Sequence, residues 1–162
     1  MKKTEKMSIV SRAYGSLDEK DQKILDILRT DADYTVRQIS KATMIPATTV
    51  HSRILSLKKE GIIRNYTVNL DHKKIGNKFT AIIFLSVDYE ELRSINKDQH
   101  QLARELKSLP EVEWVDIVTG EIDMIAKVRV PDVDAFDEFL FHKLQKMKGI
   151  GKTQSAIVIN ET

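Results

Sequence analysis

Between Thr35 and Arg64 the chain reads TVRQISKATMIPATTVHSRILSLKKEGIIR, two short helical patterns with only Met44-Ile45-Pro46 between them. Thr35 is followed three residues later by Gln38, a spacing in which hydroxyl and amide satisfy two otherwise unpaired N–H groups at a helix start. A helix therefore begins near Val36, with Val36 and Ile39 on its apolar side. Pro46 suits the first position of the next helix, because its missing N–H would be unpaired there and its φ is already helical. From Ala47 onward Val50, Ile54 and Leu57 recur at i, i+4 and i+7, while Thr48, Thr49, His51, Ser52, Ser56 and Lys59 fall largely off that stripe. Gly61 is placed to close the helix in a left-handed conformation.

Two helices joined so tightly cannot bury a core alone, and the segment before them supplies a third. Asp18 stands as an N-cap, with Glu19 and Asp21 in the first turn where the helix dipole favours acids. Ile24, Leu25, Ile27 and Leu28 then form a broad apolar face. The pattern predicts three helices at about 18–30, 36–43 and 47–60. Ile62 to Val68, β-branched and aromatic, reads as a small wing or as a strand leaving the domain.

A helix-turn-helix with small polar residues on its outer side can enter the major groove of DNA, but similar pairs occur in proteins that never touch DNA. Charge favours the first without deciding it alone. Residues 1–75 hold 15 Lys and Arg against 9 Asp and Glu, a balance of +6, and residues 76–162 hold 11 against 15, a balance of −4. A basic half joined to an acidic one is the asymmetry expected when one domain faces phosphates and the other does not.

At 162 residues, 41% apolar and 31% charged, the chain suits one or two small soluble domains. It has no cysteine, which excludes disulfides, thiolate zinc sites and cysteine nucleophiles and fits a cytoplasmic location. The opening MKKTEKMSIVSRAYGS lacks the apolar core of a signal peptide, and no run is long enough to span a membrane. Residues 1–16 read as a mobile basic tail, residues 17–66 as the helix-turn-helix domain, 67–77 as a hinge and 78–162 as a second domain.

That second domain changes rhythm. Phe79 to Val87 is apolar enough for a central strand, and Gln99 to Ser108 puts Leu102, Leu106 and Leu109 on one helical face ended by Pro110. Two alternating runs follow, Val112 to Val118 and Ile122 to Val130. Pro131-Asp132 then opens a helix with Val133, Phe136, Leu140, Leu144 and Met147 as its buried stripe; Gly149-Ile150-Gly151 breaks it, and Thr153 to Ile159 forms a last strand. The order βαββαβ predicts a ferredoxin-like sheet with two helices on one face. Alternation places Val115, Ile117 and Ile125 on the side opposite Trp114 and Met124, so both faces are partly apolar, which argues for an identical chain packed sheet against sheet.

These segments in this order resemble the feast/famine regulators, the Lrp/AsnC family of bacterial and archaeal transcription factors. The resemblance covers 17–159 and rests on LDEKDQKILDIL, on VHSRILSLKKEGIIRNYTVNLD ending in Ile75-Gly76, and on the hairpin VTGEIDMIAKV from Val118. It implies an α+β protein: an N-terminal three-helix, winged-type DNA-binding domain joined by a hinge strand to a βαββαβ domain. It further implies that the second domain dimerises, assembles further, often to octamers, and binds a small effector, usually an amino acid, between dimers. The family commonly has Gly, a small hydrophobic residue and Ser where this chain has Met44-Ile45-Pro46, and that departure predicts an altered turn.

Thr48, Thr49, His51, Ser52 and Ser56 are the candidates for reading double-stranded DNA, with Arg37 and Lys41 meeting phosphates from the preceding helix. Arg53 matches the family's arginine and either contacts phosphate, orients the helix, or pairs with Asp18 or Asp21. None of the base-edge candidates reads a base bidentately, which gives DNA shape and bending a share in specificity. The resemblance assigns Gly120, Glu121 and Asp123 to the effector, with Thr153 and Ser155 as weaker candidates. A glycine exposes N–H groups to a carboxylate and Asp123 can accept from an ammonium; equally, both residues can serve only the turn. Phosphate loops, nucleophile elbows and His-Glu-x-x-His are missing, and the four histidines are dispersed, so neither a metal nor a cofactor is expected. Siroheme decarboxylases share a similar two-domain plan and keep an enzyme reading open, against which the basic helix-turn-helix half stands. A ligand-sensing scaffold without DNA binding is the other alternative.

Overall fold

The computed structural model describes residues 17–161, so the basic tail expected at 1–16 lies outside the described residues. The chain divides into two compact units at Asn69 and Leu70.

The first unit holds α1 (Glu19–Thr30), α2 (Val36–Thr43) and α3 (Ala47–Lys59). Asp18 caps α1 by accepting from the backbone N–H of Lys20 at 2.8 Å and of Asp21 at 2.9 Å. Thr35 and Gln38 cap α2 reciprocally. Ile24, Ile39, Ile45, Val50 and Ile54 form the core, with Ile27, Leu28, Val36 and Ile63 packed around it. At the end of α3, Gly61 at φ +73 lets Ile62 donate to the Leu57 carbonyl at 2.9 Å and Gly61 to that of Lys58 at 3.1 Å. These two bonds satisfy carbonyls the helix leaves open.

The turn before α3 differs from expectation twice. Met44 takes the left-handed conformation itself, at φ 60, so the turn keeps a geometry that favours glycine despite the side chain. Pro46 stands one residue earlier than expected, at the N-cap, with no side-chain bond to the helix. A third difference lies beyond α3: among the described residues, Ile62 to Leu70 forms no strand, so this segment adds neither wing nor hinge strand. A strand needs a ladder partner, and the sheet of the second unit takes only its own four strands.

The second unit contains β1 (Phe79–Val87), α4 (Tyr89–Ser94), α5 (Gln99–Lys107), β2 (Val112–Ile117), β3 (Met124–Val130), α6 (Val133–Glu138) and β4 (Ile150–Ile157), an antiparallel sheet in the order β2-β3-β1-β4. The apolar positions of β1 and β3, among them Ile83, Leu85, Met124 and Val128, pack against Leu102, Leu106, Phe136, Phe139 and Leu144. The short helix α4, absent from the sequence reading, is set by Asp88, which accepts from Glu90 and Glu91 N–H at 3.0 and 2.9 Å. Gly149 at φ +91 lets the chain pass Leu92 of α4; a Cβ there would stand 2.3 Å from the leucine side chain. The break expected at 149–151 is shorter than that, since β4 already pairs at Ile150 with Val87.

The last helix is also rearranged. After α6 it widens into a π turn at Phe139–Lys143 and ends in a 3-10 turn at Leu144–Lys146. The extra residue in the π turn buries Phe139 and Leu144 fully and leaves Leu140 only half-buried, while Val133 is exposed.

A bulge at Glu113 corrects the assignment of sheet faces. Val112 opposes Val128, but Trp114 opposes Lys127 and Val115 opposes Ala126. One extra residue on one strand turns everything beyond it to the other side. Val115 and Ile117 consequently share the helix-covered face with Ala126 and Met124, and Trp114 joins Ile125 on the helix-free face, where Ile82 and Phe84 of β1 also lie.

Candidate functional site

The helix α3 presents two surfaces. Val50, Ile54 and Leu57 are buried in the core, and on the outside Thr48, His51, Ser52 and Ser56 are exposed. Thr49 is only half-buried, on the flank that turns toward α1. There a shallow cleft is lined by Asp21, Thr49, Ser52, Arg53, Ser56 and Glu60. Ser56 donates to the Glu60 carboxylate at 2.7 Å and Ser52 to the Thr49 carbonyl at 3.1 Å. Ser56 is engaged by Glu60 on this flank and Thr49 is half-buried there, so both sit less favourably toward DNA than Thr48.

Arg53 is spent inside the domain. Its Nη1 lies 2.6 Å from an Asp18 oxygen and 2.8 Å from Asp21. The bond to Asp21, reinforced by Asp18, raises the guanidinium further above its ordinary value. The pair with both aspartates fastens α3 to the start of α1, the intradomain role among those open to Arg53 in the sequence. Arg37 and Lys41, one turn apart on α2, are exposed and form no ion pair among the described residues. Leu55, which the sequence reading passed over, completes the outer face of α3 at 52% exposed, and Lys59 follows it by one turn. A helical-wheel count from Thr48 would have found Leu55.

At one end of the sheet, the β2–β3 connection brings Gly120 and Glu121 to the surface. The backbone N–H groups of Thr119, Gly120 and Glu121 donate to no group among the described residues. Asp123 is committed. One carboxylate oxygen accepts from Val87 N–H at 2.7 Å and the other from the Tyr89 hydroxyl at 2.7 Å, while its own backbone bonds to Leu85, Val118 and Gln99. That bond to the carboxylate, aided by burial, raises the Tyr89 phenol above its ordinary value. Asp123 thus fastens the hairpin to the end of β1 and to α4. Thr153 opposes Leu85, which also opposes Met124, so Thr153 lies two strands across from the hairpin, about 10 Å. Ser155 lies in the next row, opposite Ile83, and is exposed.

The helix-free face carries a band of half-buried apolar side chains, Ile82, Phe84, Trp114 and Ile125, beside a charged network. Arg129 pairs with Glu113, takes Glu161 with two nitrogens at 2.7 and 2.9 Å, and donates to Thr80 at 3.0 Å. Lys127 meets Glu161 at 2.7 Å. Arg129 and then Lys127 hold the Glu161 carboxyl down at about 2. Burial works to raise Glu113, but Arg129 and Lys127 outweigh it and keep its carboxyl below the ordinary value.

Comparison with known proteins adds to this geometry. Residues 80–162 match the model of the Lrp/AsnC ligand binding domain, and residues 17–64 that of a winged helix-turn-helix DNA-binding domain. An uncharacterised HTH-type transcriptional regulator of Pyrococcus abyssi is 33% identical over 141 residues, covering 87% of this chain and 91% of its own length. The HTH-type transcriptional regulator FL11 of Pyrococcus furiosus is 30% identical over 145 residues, with 90% and 91% covered. Among solved structures, a transcriptional regulator of Neisseria meningitidis in complex with L-Met is similar with a TM-score of 0.79 at 26% identity, covering 90% of this chain and 92% of that one. The fold is shared with AsnC of E. coli, at a TM-score of 0.75 and 24% identity over 90% and 93%.

Proposed function

The chain belongs to the Lrp/AsnC family of DNA-binding transcriptional regulators and is not an enzyme, and from that premise we propose a homodimer that reads DNA with the outer face of α3 and answers to an amino acid at the Gly120 hairpin. The observation that carries the DNA reading is the division of α3 into a buried apolar stripe and an exposed face of mostly short polar side chains, with Arg37 and Lys41 exposed and without an ion pair among the described residues on the helix before it. Short hydroxyls let a helix approach base edges closely, and unpaired cations are free to release counterions from phosphate.

Dimerisation is supported by the band Ile82, Phe84, Trp114 and Ile125, an apolar strip on the face opposite the one that the second unit's described helices pack against. A two-fold dimer carries two α3 helices, and a two-fold symmetric operator offers it half-sites about one DNA turn, or a multiple of one, apart. Assembly of dimers toward an octamer belongs to the same proposal, and mass measurement in solution reads it. For the effector, support comes from the Neisseria meningitidis relative, solved with L-Met, and from the undonated N–H groups at Gly120 and Glu121, which suit a carboxylate. Glu121 and Thr153 are the side chains offered to the rest of the molecule, and Asp123 acts by holding the hairpin in place. Regulation of transcription also supports a cytoplasmic location. No helix among the described residues is long and apolar enough to cross a membrane.

Selection of bound fragments from genomic DNA, repeated with each amino acid, tests the proposal. It should enrich one shared, roughly two-fold symmetric sequence, with one amino acid changing the yield. Recovery of random fragments would overturn sequence-selective binding, and identical yields with every amino acid would overturn the effector.

A further inference from the structure

On the outer face of α3, Thr48, Ser52, Leu55 and Lys59 follow one another at i, i+4, i+7 and i+11, all exposed. At 100° per residue they stay within about 50° of the line opposite Val50, Ile54 and Leu57. They therefore form one stripe, about 16 Å long at 1.5 Å rise per residue, and the major groove they would enter is about 12 Å wide. Three of the four are polar. Leu55 is the exception, with half of its surface in water, although the first unit fills its core from the other side of the helix.

A single exposed leucine is ordinary on a protein surface. What distinguishes this one is its place in the middle of a polar reading face, between the hydroxyl of Ser52 and the cation of Lys59. Thr48 and Ser52 carry one hydroxyl each, which can bond to any base pair, so hydrogen bonding over the first turns of the stripe leaves A·T and G·C weakly distinguished, and Lys59 can mark a guanine only at its far end. The major groove offers one apolar mark, the C5 methyl of thymine, and aliphatic contact with it is a form of direct readout.

Resting on the regulator reading above, we propose that Leu55 is a specificity-determining residue that packs on a thymine methyl in each half-site. It lies about 10 Å along the helix from Thr48, roughly three base-pair steps. The stripe then reads a short element in which hydroxyl contacts near Thr48 are followed by a preferred thymine.

Deoxyuridine differs from thymidine at this edge only by that methyl and tests the contact directly. With the enriched operator, each thymine of a half-site is replaced in turn by deoxyuridine, and affinity is measured for the wild-type protein and for Leu55→Ala. Because Leu55 is exposed, the variant should keep the wild-type circular dichroism and thermal midpoint. At one position uracil should weaken wild-type binding about fourfold per half-site, the factor expected for one methyl-sized group withdrawn from contact. Leu55→Ala should bind the thymine operator more weakly and lose its sensitivity to uracil at that position alone. Equal uracil sensitivity in both proteins overturns the proposal, as does wild-type binding that ignores uracil everywhere. If Leu55→Ala changes oligomeric mass but not affinity, the leucine serves a protein contact and the proposal falls. Salt-sensitive operator binding without uracil coupling removes this inference and leaves the regulator reading standing; absence of any DNA binding removes both.

Discussion

Met44 occupies a left-handed position that glycine adopts without penalty, and its side chain, 88% exposed, gains little packing in return. Met44→Gly should therefore stabilise the first unit by about 1 kcal/mol, the usual strain of a side chain at positive φ, partly offset by glycine's extra freedom when unfolded. Thermal unfolding of the two proteins measures this, and a lower midpoint for the glycine variant would contradict the strain argument. Arg53 makes the opposite case. Arg53→Ala should lower stability by about 1 kcal/mol, and a double-mutant cycle with Asp21→Ala should show that most of the loss is shared between the two. The sequence exposed both possibilities for this arginine without choosing, because a helix-face position does not reveal whether a cation pairs within its domain or reaches outward. The choice depends on Asp18 and Asp21 arriving from a helix some thirty residues earlier.

Among elements, the hairpin before β3 is held chiefly by Asp123. Asp123→Asn keeps the shape but removes the charge that Tyr89 donates to, and the phenol should then titrate closer to its ordinary value of 10.0. Ultraviolet titration of the tyrosines reads that change; an unmoved Tyr89 would mean the bond has no energetic weight. The raised Tyr89 value carries stability that is present below pH 10 and is lost as pH climbs through the folded value. The helices of the first unit and the strand pattern of the second were legible from caps and periodicity, because those signals act over three or four residues. The bulge at Glu113, the π turn at Phe139–Lys143 and the helix α4 were not. Each answers to packing across the sheet: the bulge aims Val115 into the core, and the π turn buries Phe139. The candidate site divided in the same way. The outer positions of α3 could be counted from the sequence, whereas the engagement of Asp123, Ser56 and Arg53 with neighbours depends on side chains that periodicity does not place.

For the whole molecule, two features of the helix-free sheet face bear on assembly and pH. Replacing Phe84 or Ile125 by Asp should convert the proposed dimer to monomer in light-scattering mass measurements, with far-ultraviolet circular dichroism retained; an unchanged mass would place the interface elsewhere. Glu161 sits at about 2 when folded against 4.5 as the ordinary value, so its contribution is present above pH 4.5 and is lost as pH falls from there through 2. Its side chain is 42% exposed and screened by solvent, which keeps the effect modest. Glu161→Gln should flatten the acid limb of the stability curve in that window and leave neutral pH less affected by salt.

The central claim is that the first unit binds DNA through α3 with Arg37 and Lys41 on the phosphates. It is tested most directly by the affinity of the full chain for its selected operator as salt is raised. Four such contacts in a dimer predict a linear fall of log affinity with log salt and a slope of about −4, made shallower by about 2 in Lys41→Ala. An affinity that stays flat from low to moderate salt would contradict the claim.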